Sequence, residues 1–354
     1  MNIERFGVEE WMDKYESDAK YNITDTCARP MTLKELFALA GEDREDFVEA
    51  LFEKEQSYGS IYGLASLKEE IAGLYETITP DDILTQHGAT GGNQHVLFSL
   101  VRPGDRVVAF SPSYQQFCST PRALGANVTV LKLRRSNGFL PDLDELRKAA
   151  ARGLRLICIN NPNNPTGAVL PHDEMKRLTA QHPDVLFVID QSYEDFTPRM
   201  LFSPHEAAAL SNVILLHSLT KRFGIPGLRV GYLTARQEWT ARIRRNKMPW
   251  SVNTLALEAA LFLTEHEKDF RIDLQSLLEE RARVAGQLEA LRIAEVWPGE
   301  THFLLARLRM GKASALKDYL AETHGMLIRD AGNFEGLDER YFRIAVQSLS
   351  LIHI

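Results

Sequence analysis

Cysteine is scarce: the 354 residues hold only Cys27, Cys118 and Cys158, far apart and odd in number. They form neither a disulfide framework nor a paired metal-ligand motif, so no metal site is expected and a reducing cytoplasm is the default compartment. Positive charge is short as well, with 41 lysines and arginines against 48 acidic residues and a formal net charge of -7. That balance gives no support to a nucleic-acid or anionic-membrane surface. The local basic cluster Arg242, Arg244, Arg245 and Lys247 is read as a solvated helix face. No apolar run is long enough to cross a bilayer. Residues 1–21 are acidic and mixed, lacking the basic region and apolar stretch of a secretory signal. There is no internal repeat and no low-complexity tract.

What is present is ordinary globular material, 44% hydrophobic and 25% charged, in a chain long enough for a large domain plus a smaller one. Apolar, often β-branched runs recur at 83–86, 106–110, 127–133, 154–160, 185–190, 212–217 and 230–234. Between them, 92–100, 115–124, 143–151 and 174–180 carry helical spacing of apolar residues. The alternation predicts an α/β fold with a mostly parallel seven-stranded sheet flanked by helices. From 253 to about 291 the pattern reads as one long helix. Strands at 293–297 and 302–308, a helix over 311–324 and strands at 326–329 and 341–346 follow, a smaller α+β domain. The expected division is an N-terminal segment, 1–40, packing on the small domain, a large domain at 41–252 and the small domain at 253–354. The chain stops soon after a strand, where a closing helix is usual, so residues 348–354 are open to being non-native or truncated sequence.

Lys221 follows Ser218-Leu219-Thr220 at the end of an apolar run, and would emerge at the carboxyl end of a strand, where open α/β sheets place ligands. A second cation, Arg229 or Arg222, is expected to lower its pKa and let it attack an aldehyde. Taken singly, such a lysine is usually a surface residue. Asp190 ends Val185-Leu186-Phe187-Val188-Ile189, and a carboxylate beside so much hydrocarbon needs a partner. A protonated pyridine nitrogen is one, and helix capping is the plainer alternative. Tyr193 lies one short turn on.

Asn160-Asn161-Pro162-Asn163-Asn164-Pro165-Thr166-Gly167 is a rigid turn directly after a strand, from which the Asn164 amide can hold a ring hydroxyl. Gly88-Ala89-Thr90-Gly91-Gly92 lies between the first strand and a helix, where free N–H groups and the helix dipole receive a phosphate. It lacks the Gly-Lys-Ser/Thr ending of a nucleotide loop. Ser218, Thr220 and Arg229 can add donors to the same phosphate. Tyr114, in Ser111-Pro112-Ser113-Tyr114, is either a ring-stacking residue or an ordinary core or surface tyrosine.

In order and spacing, the segments 88–91, 161–167, 190–193 and 218–231 resemble those of class I/II aminotransferases that use pyridoxal 5'-phosphate (PLP), the fold-type-I family typified by aspartate aminotransferase. The most specific is Ser218-Leu219-Thr220-Lys221-Arg222-Phe223-Gly224-Ile225-Pro226-Gly227-Leu228-Arg229-Val230-Gly231. The resemblance implies that Lys221 is the Schiff-base lysine and Asp190 the partner of the pyridine nitrogen. Asn164 and Tyr193 match the pair on the ring 3-oxygen, Ala89, Thr90, Ser218 and Arg229 the phosphate cup, and Tyr114 the stacking aromatic. Tyr58, leading Tyr58-Gly59-Ser60-Ile61-Tyr62-Gly63, matches a tyrosine that reaches the phosphate of a neighbouring subunit, which implies a homodimer with shared active sites. Arg343, in Tyr341-Phe342-Arg343-Ile344-Ala345-Val346, matches the arginine that forks around a substrate α-carboxylate.

The stretch Gly325-Met326-Leu327-Ile328-Arg329-Asp330 resembles histidinol-phosphate aminotransferases and threonine-phosphate decarboxylases, in which an arginine near Arg329 assists substrate binding. Residues 21–39 fit neither group and are nearer to capreomycidine-synthase-like members. The implied activity is transfer of an amino group between an L-amino acid and a 2-oxo acid, Lys221 moving a proton from the α-carbon. The nearest alternative is decarboxylation, elimination or cyclisation with the same cofactor, although the decarboxylases tend to carry phenylalanine at the place of Tyr193. A non-catalytic sensor domain is a third reading, but those carry a DNA-binding domain ahead of this fold, for which residues 1–40 are too short.

Overall fold

Leu186-Phe187-Val188-Ile189-Asp190 is buried over its whole length, as a strand covered on both faces must be. Leu186 and Val188 pack toward Val96, Leu97 and Val107, while Phe187 and Ile189 pack toward Leu146, Met175 and Leu178, the alternation that a pleated strand imposes. The computed structural model describes residues 11–12, 14–39, 44–55 and 57–347, and the questions about residues 348–354 and about a boundary at 40 fall outside them.

The strands are β1 (Tyr21–Asn22), β2 (Ile83–Gln86), β3 (Arg106–Ser111), β4 (Asn127–Lys132), β5 (Leu156–Asn160), β6 (Leu186–Asp190), β7 (Val213–His217) and β8 (Gly231–Ala235), then β9 (Ala294–Trp297), β10 (Phe303–Leu308), β11 (Met326–Leu327), β12 (Arg329–Asp330) and β13 (Tyr341–Ala345). Seven of them form one sheet in the order β2-β8-β7-β6-β5-β3-β4. Only β8 runs against its neighbours; the other pairings are parallel. Helices pack on this sheet, and the fold is the α/β architecture expected. Asn160 stands level with Asp190 on β5–β6, and Asp190 level with Leu216 on β6–β7. Their carboxyl ends therefore finish at one height, beside the switch in strand order, where such sheets bind ligands.

A four-stranded antiparallel sheet, β12-β13-β10-β9, forms the second layer of structure, and β1 pairs with β11 in parallel. From β1 the chain runs on as a strap over 23–31. Ala345 N donates to Ile23 O at 2.9 Å, Ala28 N to Lys221 O at 2.8 Å and Met31 N to Gly224 O at 3.3 Å. One extended segment thus ties the small sheet to the loop after β7.

Three expectations need correction. The helical pattern after 253 is two helices, Thr254–Glu265 and Leu274–Ala290. Asp273 accepts from Ser276 N at 3.1 Å and restarts the second one, because a short acceptor side chain at that place competes with continuing the helix. The strand expected at 326–329 is two residue pairs, β11 and β12, bonded to different partners. The glycine-rich turn is itself the first turn of the helix Gly88–Leu100.

The basic cluster also differs from a solvated face, because Lys247 is 7% exposed and its Nζ donates to Thr85 O at 2.5 Å. Burial, then Lys68 and Arg244, push its pKa down from 10.5 to about 8. Between those values the unfolded chain binds more protons than the folded one, so this group makes stability rise with pH. Denaturant unfolding of wild type and Lys247→Met is expected to diverge in favour of wild type by up to ~3 kcal/mol across that window. A difference that stays flat with pH would show that the amine is not held away from water.

Candidate active site

The carboxyl ends of β5, β6 and β7 open into a cleft of about 570 Å³. Asp190, 5% exposed, lies at its floor. Its Oδ2 accepts from Asn93 Nδ2 at 2.7 Å, and its Oδ1 accepts from Ser192 N at 2.9 Å and from Ser192 Oγ. All three partners donate, and a carboxylate has about four acceptor positions, so one remains for a donor inside the cleft. Asn93 comes from the helix Gly88–Leu100, which crosses behind the strand ends.

Above this floor, Tyr193 OH shares a hydrogen bond of 2.9 Å with Thr26 Oγ1 and accepts from Asn164 Nδ2 at 3.2 Å. Asn164 Oδ1 in turn accepts from Arg343 Nη1 at 2.5 Å, and Arg343 Nη2 donates to Thr24 O. Asn164 is placed by its own loop, where its backbone N donates to Asn160 Oδ1 at 2.8 Å. The neutral pair at the end of the chain, Asn164 and Tyr193, is thus oriented by a buried guanidinium from β13.

Lys221 reaches the same space from the short helix Leu219–Arg222, and its Nζ donates to Cys27 Sγ at 3.4 Å. Burial pushes this ammonium toward its neutral form, but Cys27, Tyr193 and Asp25 outweigh it and its pKa is raised. This reverses the expectation of a lowered pKa. Arg222 does not act on the amine in the expected way; it pairs with Asp195 at 3.3 Å and Glu267 at 2.7 Å. His302, fully buried with its ring centroid 6.4 Å from that of Tyr193, is held neutral by burial and by the nearby Arg343 and Lys221.

The other end of the cleft is a cradle. Gly88 has φ +66°, and a Cβ there would lie 2.6 Å from Arg229 Nη2; a Cβ on Gly231 would lie 2.6 Å from His217 O. Glycine at 88 lets the guanidinium lie against the helix start, and glycine at 231 lets β8 lie close against His217 of β7 and that same helix start. Ser218 Oγ and Thr220 Oγ1 sit 2.9 Å apart beside it, and Ala89 and Thr90 line the same wall. Thr90 Oγ1 and Tyr114 OH are 3.2 Å apart, with Tyr114 over the mouth. Arg329 lines the outer part, donating to Asp330 O and to Asn333 Oδ1 at 2.9 Å.

The cleft therefore brings together Lys221, Asp190, Tyr193, Asn164, Ala89, Thr90, Tyr114, Ser218, Arg229, Arg343 and Arg329. Tyr58 does not line it. That tyrosine is 80% exposed, its ring 4.8 Å from that of Trp250. Asn93, Ser192, Thr26 and Cys27 were missed. Asn93 carries a weak signal, a polar residue amid Val96 and Leu97 in an apolar helix; nothing local marks Thr26 and Cys27, which arrive from far along the chain.

This donor set fits pyridoxal 5'-phosphate. A cationic, hydroxyl-lined cradle suits a dianion, a buried carboxylate suits a basic ring nitrogen, an amide and phenol suit a ring oxygen, and an amine suits an aldehyde.

A family model, aminotransferase class I and II, matches residues 33–350. The histidinol-phosphate aminotransferase of Methanococcus maripaludis is 26% identical over 280 residues, 79% of this chain and 75% of its own length. The threonine-phosphate decarboxylase of Salmonella typhimurium is 31% identical over 253 residues, 69% of this chain and 67% of its own. Among solved structures, a PLP-dependent aminotransferase from Streptococcus suis superposes with a TM-score of 0.88 at 31% identity, covering 98% of this chain and 94% of the other.

Proposed function

As the chain belongs to the aminotransferase class I and II family and uses pyridoxal 5'-phosphate, we propose that it moves an amino group between an L-amino acid and a 2-oxo acid. The observation that carries this reading is the convergence of Lys221, Asp190 and Arg343 in one cleft. When bound, the cofactor supplies an aldehyde and a ring into which the electrons of a broken α-carbon bond can spread. Lys221 would hold that aldehyde, and its amine, when free, would carry the proton of the substrate α-carbon. Asp190, which lines the cleft and keeps one acceptor position beyond its three hydrogen bonds, would keep a proton on the ring nitrogen. Asn164 and Tyr193 would hold the ring oxygen; Ala89, Thr90, Ser218 and Arg229 would hold the phosphate; Tyr114 would cover the ring.

Arg343 takes the substrate α-carboxylate with its paired N–H groups. Arg343→Lys keeps the charge and loses the fork, so KM for the amino donor is expected to rise roughly 10- to 100-fold with a smaller change in kcat. An unchanged KM would remove the arginine from substrate binding. Arg329, at the outer wall, suits an anionic substrate tail.

The reaction is tested by offering a panel of amino acids, phosphorylated ones included, and scoring 2-oxo acid and carbon dioxide together. Oxo acid without carbon dioxide supports transfer. Carbon dioxide release would instead support the decarboxylase reading, which rests on the 31% identity to the Salmonella enzyme. We further read the working unit as a homodimer. Tyr58 is exposed, lies outside its own chain's cleft and is braced by Trp250, as a residue serving a second copy would be. Small molecules are its partners, and the buried free thiols fit a cytoplasmic setting.

A further inference from the structure

Transfer of an amino group requires no thiol, yet Cys27 is 1% exposed and its sulfur accepts from Lys221 Nζ at 3.4 Å. Backbone holds this contact in place, since Ala28 N donates to Lys221 O at 2.8 Å and Met31 N to Gly224 O at 3.3 Å. On the same strap Thr24 O accepts from Arg343 and Thr26 Oγ1 bonds Tyr193 OH. Three strap residues therefore touch three of the cleft's side chains. A buried amine with no acceptor would carry the full cost of its lost hydration, whereas a carboxylate in contact would trap it as a tight ion pair. A thiol is a small, weak acceptor that holds an amine and lets it go.

We propose that Cys27 is a positioning residue for Lys221: its sulfur seats the lysine amine whenever that amine is not bonded to the cofactor. The proposal rests on Lys221 being the cofactor-bearing lysine. In the seated position the amine waits on the strap side of the cleft, beside Tyr193, from which it returns to the substrate α-carbon. The charged or titratable groups acting on it are Cys27 and Asp25 on the strap, Tyr193 after β6, and His302 before β10. Removing the thiol leaves burial less opposed, so the amine should lose its proton at lower pH.

The test is cofactor capture by the full-length, cofactor-free chain, mixed with pyridoxal 5'-phosphate and followed by growth of visible absorbance from neutral to alkaline pH. Capture needs the neutral amine. Cys27→Ala is expected to move the midpoint of the rate profile down by about one pH unit, making capture roughly tenfold faster on its acid side. Cys27→Ser keeps a small acceptor, and a stronger one, so its midpoint should not fall below that of wild type. Methylation of Lys221 by formaldehyde and a borane, counted by mass spectrometry of its peptide, should rise in the alanine variant at neutral pH. In that variant a midpoint that does not move, even with capture slower at every pH, overturns the proposal, as does unchanged methylation. Should the alanine variant fail to fold, the serine variant decides: a midpoint at or above wild type supports the proposal and one below it overturns it. A wild-type chain that captures no cofactor, or a Lys221→Ala chain that captures it equally well, defeats the Lys221 assignment instead, and so the two failures are distinguishable.

Discussion

Lys221→Ala is expected to lower turnover by about 10⁴-fold or more and to abolish the visible absorbance of the lysine-linked cofactor. The size follows from two losses at once, the covalent hold on the aldehyde carbon and the general base for the α-proton, the latter alone being worth roughly 10²- to 10⁴-fold. The cradle of Arg229, Ser218 and Thr220 remains in this variant, so pyridoxal 5'-phosphate should still bind, reversibly. Equilibrium dialysis and a spectrum taken with and without amino donor separate these effects. Added methylamine should not restore the covalent hold, but as a small free base it should recover part of the proton transfer. A variant that keeps the lysine-linked spectrum and wild-type kcat would place the chemistry on another residue.

Asp190→Asn is expected to lower kcat by roughly 10²- to 10³-fold, the range for removing one preorganised charge from a reaction centre. The asparagine is almost the same size, and its amide still has an oxygen for the Ser192 donors. The Asn93 amide, which bonds Asp190 Oδ2 at 2.7 Å, would face an NH₂ group or be forced to turn its own oxygen inward. Some loss of stability should accompany the loss of rate, on the order of 1–3 kcal/mol for one mispaired buried group. The Lys221-linked absorbance should persist, since the amine and the aldehyde carbon are untouched. Single-turnover measurement with the best donor from the panel checks this; a kcat equal to wild type would mean that Asp190 does not govern the ring nitrogen.

The central sheet was legible because its inner strands, buried on both faces, have to be written largely in apolar residues, whereas the edge strand β4 is half exposed. Val-Ile-Leu-Leu-His at β7 and Leu-Phe-Val-Ile-Asp at β6 show this, each ending in one buried polar residue at its carboxyl end. Periodicity failed where a local acceptor intervened. Asp273 splits the long helical pattern, and its signal, one short polar side chain in a charged stretch, is lost among neighbours of similar polarity. It also failed for Lys247, whose sequence neighbours Arg242, Arg244 and Arg245 suggest solvent, while the tertiary fold folds its amine against Thr85 O.

The sequence by itself determined the order of strands and helices and the chemistry placed at the strand ends: an amine after β7, a carboxylate ending β6, an amide in the loop after β5 and a glycine-rich segment following β2. Each is a local matter, because a strand's end and a turn's backbone are specified by residues within a few positions of them. Only the tertiary structure decided what those groups touch. Asn93 beneath Asp190, Arg343 behind Asn164, and Thr26 and Cys27 against Tyr193 and Lys221 come from segments separated by between 97 and 194 residues. Such contacts are made by the packing of a strap and a second sheet onto the first, and the strength and direction of an electrostatic effect depend on distances that no spacing along the chain encodes.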